Sequence, residues 1–259
     1  MIATEVISML RTEGKGIEIT SLFSHSDKDK AQSLAKANRI ARVYTDYTQL
    51  LKEDNADFVY IALVNSAHYD YVRQALEADR NVIVEKPFTT SLSQAEELAS
   101  LARSRNLYLF EAVSLLHTPN FKLVKDSLTR IAPIHLVQCN FSQYSSRFER
   151  YLQGDIAPAF NPKLGGGAMN DLNVYNINTV IGLFGEPLTT TYYANRGHNG
   201  IDTSGTMVLS YPTLTATCTA AKDSSSPSFT IIQGEKGWIR IPTTANEFGS
   251  VEIMEGGKL

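Results

Sequence analysis

Two short stretches place ionisable side chains where they could move a proton. In "NVIVEKPFTT" (81–90), Glu85 and Lys86 follow a run of apolar β-formers and stand directly before Pro87. Asn81–Val84 has strand length and no polar alternation, which predicts a strand covered on both faces. Ligands of parallel sheets bind beyond the carboxyl ends of the strands, and Glu85, Lys86 and Pro87 would sit there. Pro87 excludes helical geometry at Lys86 and sets it extended, which fixes where its side chain points. An ammonium so held can exchange a proton with a substrate hydroxyl. A solvated surface ion pair is the competing reading of Glu85 and Lys86 taken alone.

The second stretch is "GGGAMNDLNVYNINTVIGLFG" (165–185). Gly165 to Gly167 permit close backbone approach, and a helix is expected from there to about Phe184. Asp171, Tyr175 and Asn178 follow i, i+4, i+7 spacing and would share one face. Leu172, Ile177, Val180 and Ile181 point elsewhere, towards a core. A carboxylate one turn from a phenol suits a proton relay, the tyrosine offering its O–H and the aspartate orienting a second hydroxyl. The competing reading is an aspartate favoured by the helix dipole and a tyrosine merely packed.

The elements that must position these groups fall into two grammars. Up to about residue 115, strands ("GIEITSLFS", "DFVYIALV", "NVIVE", "LYLFEA") alternate with helices ("DKDKAQSLAKAN", "DYTQLLKED", "SAHYDYVRQALEA", "SLSQAEELASLARSRN"). Ser91 is a candidate N-cap of the last helix. This alternation predicts βαβ units and a parallel sheet. Beyond residue 115, one helix ("NFKLVKDSLTRI") precedes long strands with polar alternation, and "SYPT" reads as a hairpin turn. That pattern predicts an α+β domain with a large, open, mostly antiparallel sheet. The expected domains are therefore 1–115 and 116–259.

Composition narrows the function classes. The 259 residues are 43% hydrophobic and 20% charged, as in ordinary globular proteins. A net charge of -3 gives no basic surplus for nucleic acid or anionic membranes. No apolar run approaches the roughly 20 residues of a membrane span, and the first residues lack the basic start of a secretory signal. Cys139 and Cys218 are the only cysteines, in strand-like apolar segments without metal-ligand spacing. Buried free thiols in a reducing cytosol, and no metal site, are the expectation.

The amino-terminal region departs from a dinucleotide-binding sheet, which opens with a strand and a Gly-rich turn. Here a helix begins almost at Met1, and no GxGxxG stands before it. In the usual strand order the absent strand is central, and its neighbours would stand roughly 9.5 Å apart, too far to pair. The expectation is a natural protein that begins one strand and one glycine turn earlier; a rearranged sheet that closes without that strand is the alternative.

"DFVYIALVNSAHYDYVRQALEADRNVIVEKPFT" together with "LGGGAMNDLNVYNINTVIGLFGEP" resembles the Gfo/Idh/MocA oxidoreductases (glucose-fructose oxidoreductase, inositol dehydrogenase). "FNPKLGGGAMNDLNVY" is most similar to the dimeric dihydrodiol dehydrogenase and sugar dehydrogenase branch. The resemblance covers most of the chain and implies a Rossmann domain, an α+β domain and a final helix beyond Leu259. Where such relatives carry an arginine after Glu-Ala, this chain reads Glu111-Ala112-Val113-Ser114-Leu115-Leu116-His117.

The resemblance implies hydride transfer between a nicotinamide and a carbinol of a sugar, inositol or cyclic diol. Lys86, Tyr175 and Asp171 would be the catalytic residues, with Lys86 against the substrate hydroxyl and the nicotinamide ribose. Ser24, His25, Val64, Asn65, His68, Glu85, Lys86 and Pro87 would contact the cofactor. Absence of an acid at Ser24-His25, with Lys28 and Lys30 nearby, favours NADP over NAD. His68 has a competing reading as a solvated first-turn residue. A homodimer or a higher homo-oligomer would form through the open sheet. The alternative function is a non-catalytic nucleotide- or sugar-binding relative without the phosphate loop.

Overall fold

The chain divides after Glu111 into two units in a computed structural model that describes residues 2–257. The first unit runs α1 (Ile2–Glu13), β1 (Ser21–Phe23), α2 (Lys28–Asn38), β2 (Arg42–Tyr44), α3 (Tyr47–Glu53), β3 (Phe58–Ile61), α4 (His68–Glu77), β4 (Asn81–Val84), α5 (Leu92–Ser104) and β5 (Leu109–Glu111). Every strand pair in it is parallel. Among the described residues β1 pairs with β2, while β3, β4 and β5 form a separate ladder. The two ladders are not joined, so the rearranged, closed sheet is not the arrangement found.

Several local expectations are corrected. The strand expected over "GIEITSLFS" contracts to Ser21–Phe23, since Ile17 is exposed. β2 lies outside the predicted elements, being three residues that start on an exposed arginine, too short for a periodic signal. β4 is fully covered on one face only: Val82 and Val84 are buried, whereas Asn81 and Ile83 are half-buried. Val82 and Val84 pack with Val72, Ala75 and Leu76 of α4 and Leu98 and Ala102 of α5. Ser91 is the N-cap residue of α5, but its hydroxyl faces Ser93 Oγ at 2.9 Å instead of the helix amides.

The second unit contains α6 (Pro119–Ile131), β6 (Ile134–Ser142), α7 (Phe148–Leu152), α8 (Val174–Phe184) and strands β7 (Thr189–Arg196), β8 (Asp202–Ser210), β9 (Thr215–Ala221), β10 (Phe229–Gly234), β11 (Gly237–Ile241) and β12 (Glu252–Glu255). They form one seven-stranded sheet in the order β12-β11-β10-β6-β9-β8-β7, antiparallel except for β6 with β9. Tyr211 N–H donates to Leu214 O at 3.0 Å and closes the expected β8–β9 turn. Val180 and Leu183 of α8 join Val137, Cys139, Cys218, Ile232 and Ile239 in the core on one sheet face. The other face shows Thr191, Tyr193, Val208 and Thr217, each exposed or half-buried. Cys139 and Cys218 sit side by side in register; their mutual hydrogen bond, then burial, push the Cys218 thiol well above its usual range.

Leu98→Ala tests the α5 contact, because Leu98 is 0% exposed. The substitution is expected to cost about 2–5 kcal/mol in urea unfolding of the first unit. An unchanged midpoint would remove Leu98 from the core.

Candidate active site

The turn that leaves β4 is held by side chains from three other elements. Tyr60, on β3, donates its O–H to Glu85 Oε1 at 2.5 Å, and Glu85 Oε2 accepts the Lys86 N–H at 3.3 Å. The Lys86–Pro87 peptide is cis. His68, the first residue of α4, is 0% exposed; its Nδ1 lies 2.9 Å from Pro87 O and its Nε2 3.2 Å from Leu63 O. A carbonyl oxygen only accepts, so each of these contacts needs an N–H on the ring nitrogen that faces it. Phe88 N–H then donates to Glu111 Oε1 at 2.8 Å. Burial pushes the Glu111 carboxyl up, opposed by the Phe88 amide and the Lys86 ammonium, with Glu85 adding to the rise.

Two readings of these residues are corrected. Glu85 and Lys86 are half-buried, not a loose pair in a solvated loop. His68 is no solvated first-turn histidine: its ring spans two main-chain carbonyls and clips the Pro87 turn to the end of β3. Tyr60 and Glu111 complete the turn and escape sequence reasoning, because a tyrosine within an aromatic strand reads as core and Glu111 stands 23 positions from its partner.

The remaining first-unit candidates stand at the carboxyl ends of β1 and β3. Ser24 N–H donates to Tyr44 O at 3.0 Å, prolonging the β1–β2 ladder, and Ser24 Oγ accepts the Asp27 N–H at 3.2 Å. The Asp27 carboxylate accepts the Lys30 N–H at 2.9 Å as the cap of α2. His25, Lys28 and Lys30 are exposed. Val64 is exposed, and Asn65 opens a short 3-10 turn, Asn65–Ala67, that leads into α4. A hydroxyl, an imidazole and two ammonium groups stand at this strand's end beside two carboxylates, Asp27, which caps α2, and Asp29, exposed in its first turn.

In the second unit, close packing explains the glycine run. A Cβ on Gly166 would lie 2.7 Å from Pro158 O, and Gly167, at φ +109°, would drive one into the Asp202 carboxylate. Asp202 instead accepts the Met169 N–H and the Tyr192 O–H, both at 2.7 Å. Burial, then this carboxylate, push the Tyr192 phenol up. The helix starts with a π turn, Met169–Asn173, before α8. This wider turn replaces the regular α spacing assumed for Asp171 and Tyr175. Asn178 returns its amide to Val174 O at 2.9 Å, so the third member of the expected face is spent within the helix. Asn173 and Asn176 are buried and donate to Cys218 O and Thr219 O, each at 2.9 Å, pinning the helix to β9.

Tyr175 packs its ring 6.1 Å from that of Phe141. Asp171 pairs with Lys222, Oδ2 to Nζ 2.6 Å, and Lys222 also donates to Ala159 O at 2.8 Å. Sequence reasoning missed Lys222; its one local signal is a charge directly after the strand "TATCTAA", with Asp223 next to it.

Comparison with known proteins bears on this arrangement. A family model described as "Oxidoreductase family, NAD-binding Rossmann fold" matches residues 1–113, and the GFO/IDH/MocA C-terminal domain model matches residues 129–240. An uncharacterized oxidoreductase of Escherichia coli K12, YgjR, is 32% identical over 91% of this chain and 71% of its own length. The scyllo-inositol 2-dehydrogenase (NADP(+)) IolU of Bacillus subtilis is 32% identical over 87% of this chain and 69% of its own length. Among solved structures, the 3-ketoreductase KijD10 of Actinomadura kijaniata, in complex with NADP and TDP-benzene, superposes with a TM-score of 0.80 at 27% identity, covering 90% of this chain and 70% of that one. Forms of that reductase with a lysine-to-alanine or a tyrosine-to-phenylalanine change have also been solved with NADP and TDP-benzene.

Glu111 gives a pH test. Its carboxyl titrates above the ordinary value of about 4.5, so the fold favours the neutral acid and stability is lost as pH climbs through and beyond that value. Glu111→Gln keeps an acceptor for the Phe88 amide and removes the charge. The variant is expected to gain melting temperature over the parent at pH 8 more than at pH 5. Equal pH dependence in the two proteins would show that Glu111 does not carry the effect.

Proposed function

Because this chain belongs to the Gfo/Idh/MocA oxidoreductase family, we propose that it transfers hydride between a nicotinamide cofactor and a carbinol of a sugar, inositol or cyclic diol. The observation that carries this reading is the β4 turn, where Tyr60, His68 and Glu111 fix Lys86 beyond a parallel sheet. A bound nicotinamide supplies the hydride. In the reducing direction the carbonyl oxygen gains negative charge as its carbon is reduced. An ammonium such as Lys86 would stabilise that oxygen, and a phenol such as Tyr175 would deliver a proton. Asp171 accepts a hydrogen bond from a neighbouring hydroxyl and orients the substrate. In the oxidising direction the same groups return the proton.

NADP is the preferred cofactor under this reading. Lys28 and Lys30 are exposed at the start of α2 beside the exposed Asp29, and Asp27 is committed to capping that helix, so two cations face one remaining carboxylate there. The NADP-dependent relative IolU supports the same choice. A reducing cytoplasm suits the two free thiols, Cys139 and Cys218.

Lys86→Met and Tyr175→Phe are each expected to lower kcat by about 10²-fold or more, the size of a lost general acid or base. Steady-state turnover over a panel of sugars, inositols and cyclic diols, with both cofactors, measures this. Near-full turnover in both variants would remove the assigned roles.

The open face of the second unit is the proposed homodimer surface. Val208 stands in mid-strand on that face, paired with Thr191 and Thr217. Val208→Arg is expected to convert a dimer to a monomer in sedimentation velocity, since an unpaired charge cannot be buried cheaply. Wild-type chain that sediments as a monomer would exclude this surface.

A further inference from the structure

We infer that Lys222 is the positioning residue for Asp171, fixing the charge and the direction of that carboxylate. The inference rests on the reading of Asp171 as a substrate-orienting group. Lys222 directly follows β9 and is 2% exposed, unusual for a lysine. Its backbone is held on both sides: its N–H donates to Thr203 O at 2.8 Å, and its carbonyl accepts the Ser145 N–H at 2.9 Å. The side chain therefore starts from a fixed point. Its ammonium contacts Asp171 Oδ2 at 2.6 Å and Ala159 O at 2.8 Å, and stands 4.5 Å from the centroid of the Phe160 ring.

The asymmetry of the pair points to its use. The Asp171 side chain is 37% exposed, against 3% for Lys222. A dry ammonium therefore lies on one side of a carboxylate that still reaches the surface. The Asp202 carboxylate accepts from the Met169 amide and the Tyr192 phenol, and that of Asp223 from the Ser204 hydroxyl. Tyr175 follows one turn later on the same helix. Through Ala159 O, Lys222 also ties this carboxylate to the segment that precedes the glycine run. It acts through Asp171 and needs no contact with substrate.

The test uses the full chain with carbon-13-labelled aspartate carboxyls. Lys222→Gln is expected to raise the Asp171 titration midpoint by about one pH unit or more, because a close opposite charge lowers a carboxyl by roughly 1–3 units. Lys222→Arg keeps the charge and should leave the midpoint near that of wild type. In turnover, Lys222→Gln should lower kcat about tenfold, yet add little to an Asp171→Asn background, since both act through one group. An unmoved midpoint in Lys222→Gln, or losses that add in full, would overturn the inference. Lys222→Met, which fills similar space without polar atoms, serves the same titration if Lys222→Gln melts early. A full-length natural protein that turns over no sugar, inositol or cyclic diol would sink the hydride-transfer reading instead, and the carboxyl titration would still decide this one.

Discussion

Backbone groups that leave a buried strand must find hydrogen-bond partners at once, because water is not there to take them. At the end of β4 that demand falls on the residues with the most chemistry to offer. Tyr60 comes from β3, His68 from the start of α4 and Glu111 from the end of β5, and each satisfies or fixes a different part of the 85–88 turn. The ladder that sets the register of β3, β4 and β5 therefore also sets the main chain at Lys86. A side chain proposed for catalysis would gain precision in this way from rigid elements and not from its own loop.

The second unit solves the same problem with different parts. Its glycine run brings main chain against Pro158 and Ala159 so closely that a Cβ has no room, and the Asp202 carboxylate takes up the first amide of the π turn. Asn173 and Asn176 then bond the helix to carbonyls of β9, so the helix is registered against the sheet by hydrogen bonds as well as by apolar packing. Asp171 and Tyr175 inherit that register.

Sequence patterns reached the fold because both units are built on strong periods: strand-helix alternation in the first, polar alternation along long strands in the second. β2 escaped because its three residues start on an exposed arginine and lack the longer apolar flanks that gave away β1 and β5. The coverage of β4 was misjudged because a short apolar run looks the same whether one face is dry or both. Of the proposed functional residues, Lys86, Tyr175 and Asp171 stood out through neighbours in sequence, the proline and the glycines. Their supports did not. Tyr60 meets Glu85 across 25 positions and Lys222 meets Asp171 across 51, distances that no local pattern encodes. The π turn is likewise invisible, since one extra residue per turn leaves composition unchanged.

The Asp171–Lys222 pair is poor currency for stability. Desolvating an ammonium to this depth costs several kcal/mol, and a well-packed apolar pair of similar volume would hold the fold as well or better. The charge is further cushioned by Ala159 O and by the face of Phe160, so considerable structure is devoted to keeping one cation dry. Such an arrangement makes physical sense where a carboxylate must remain ionised and aimed while meeting something other than its counter-ion. The partial exposure of Asp171 supplies that opening, and the burial of Lys222 supplies the constancy behind it.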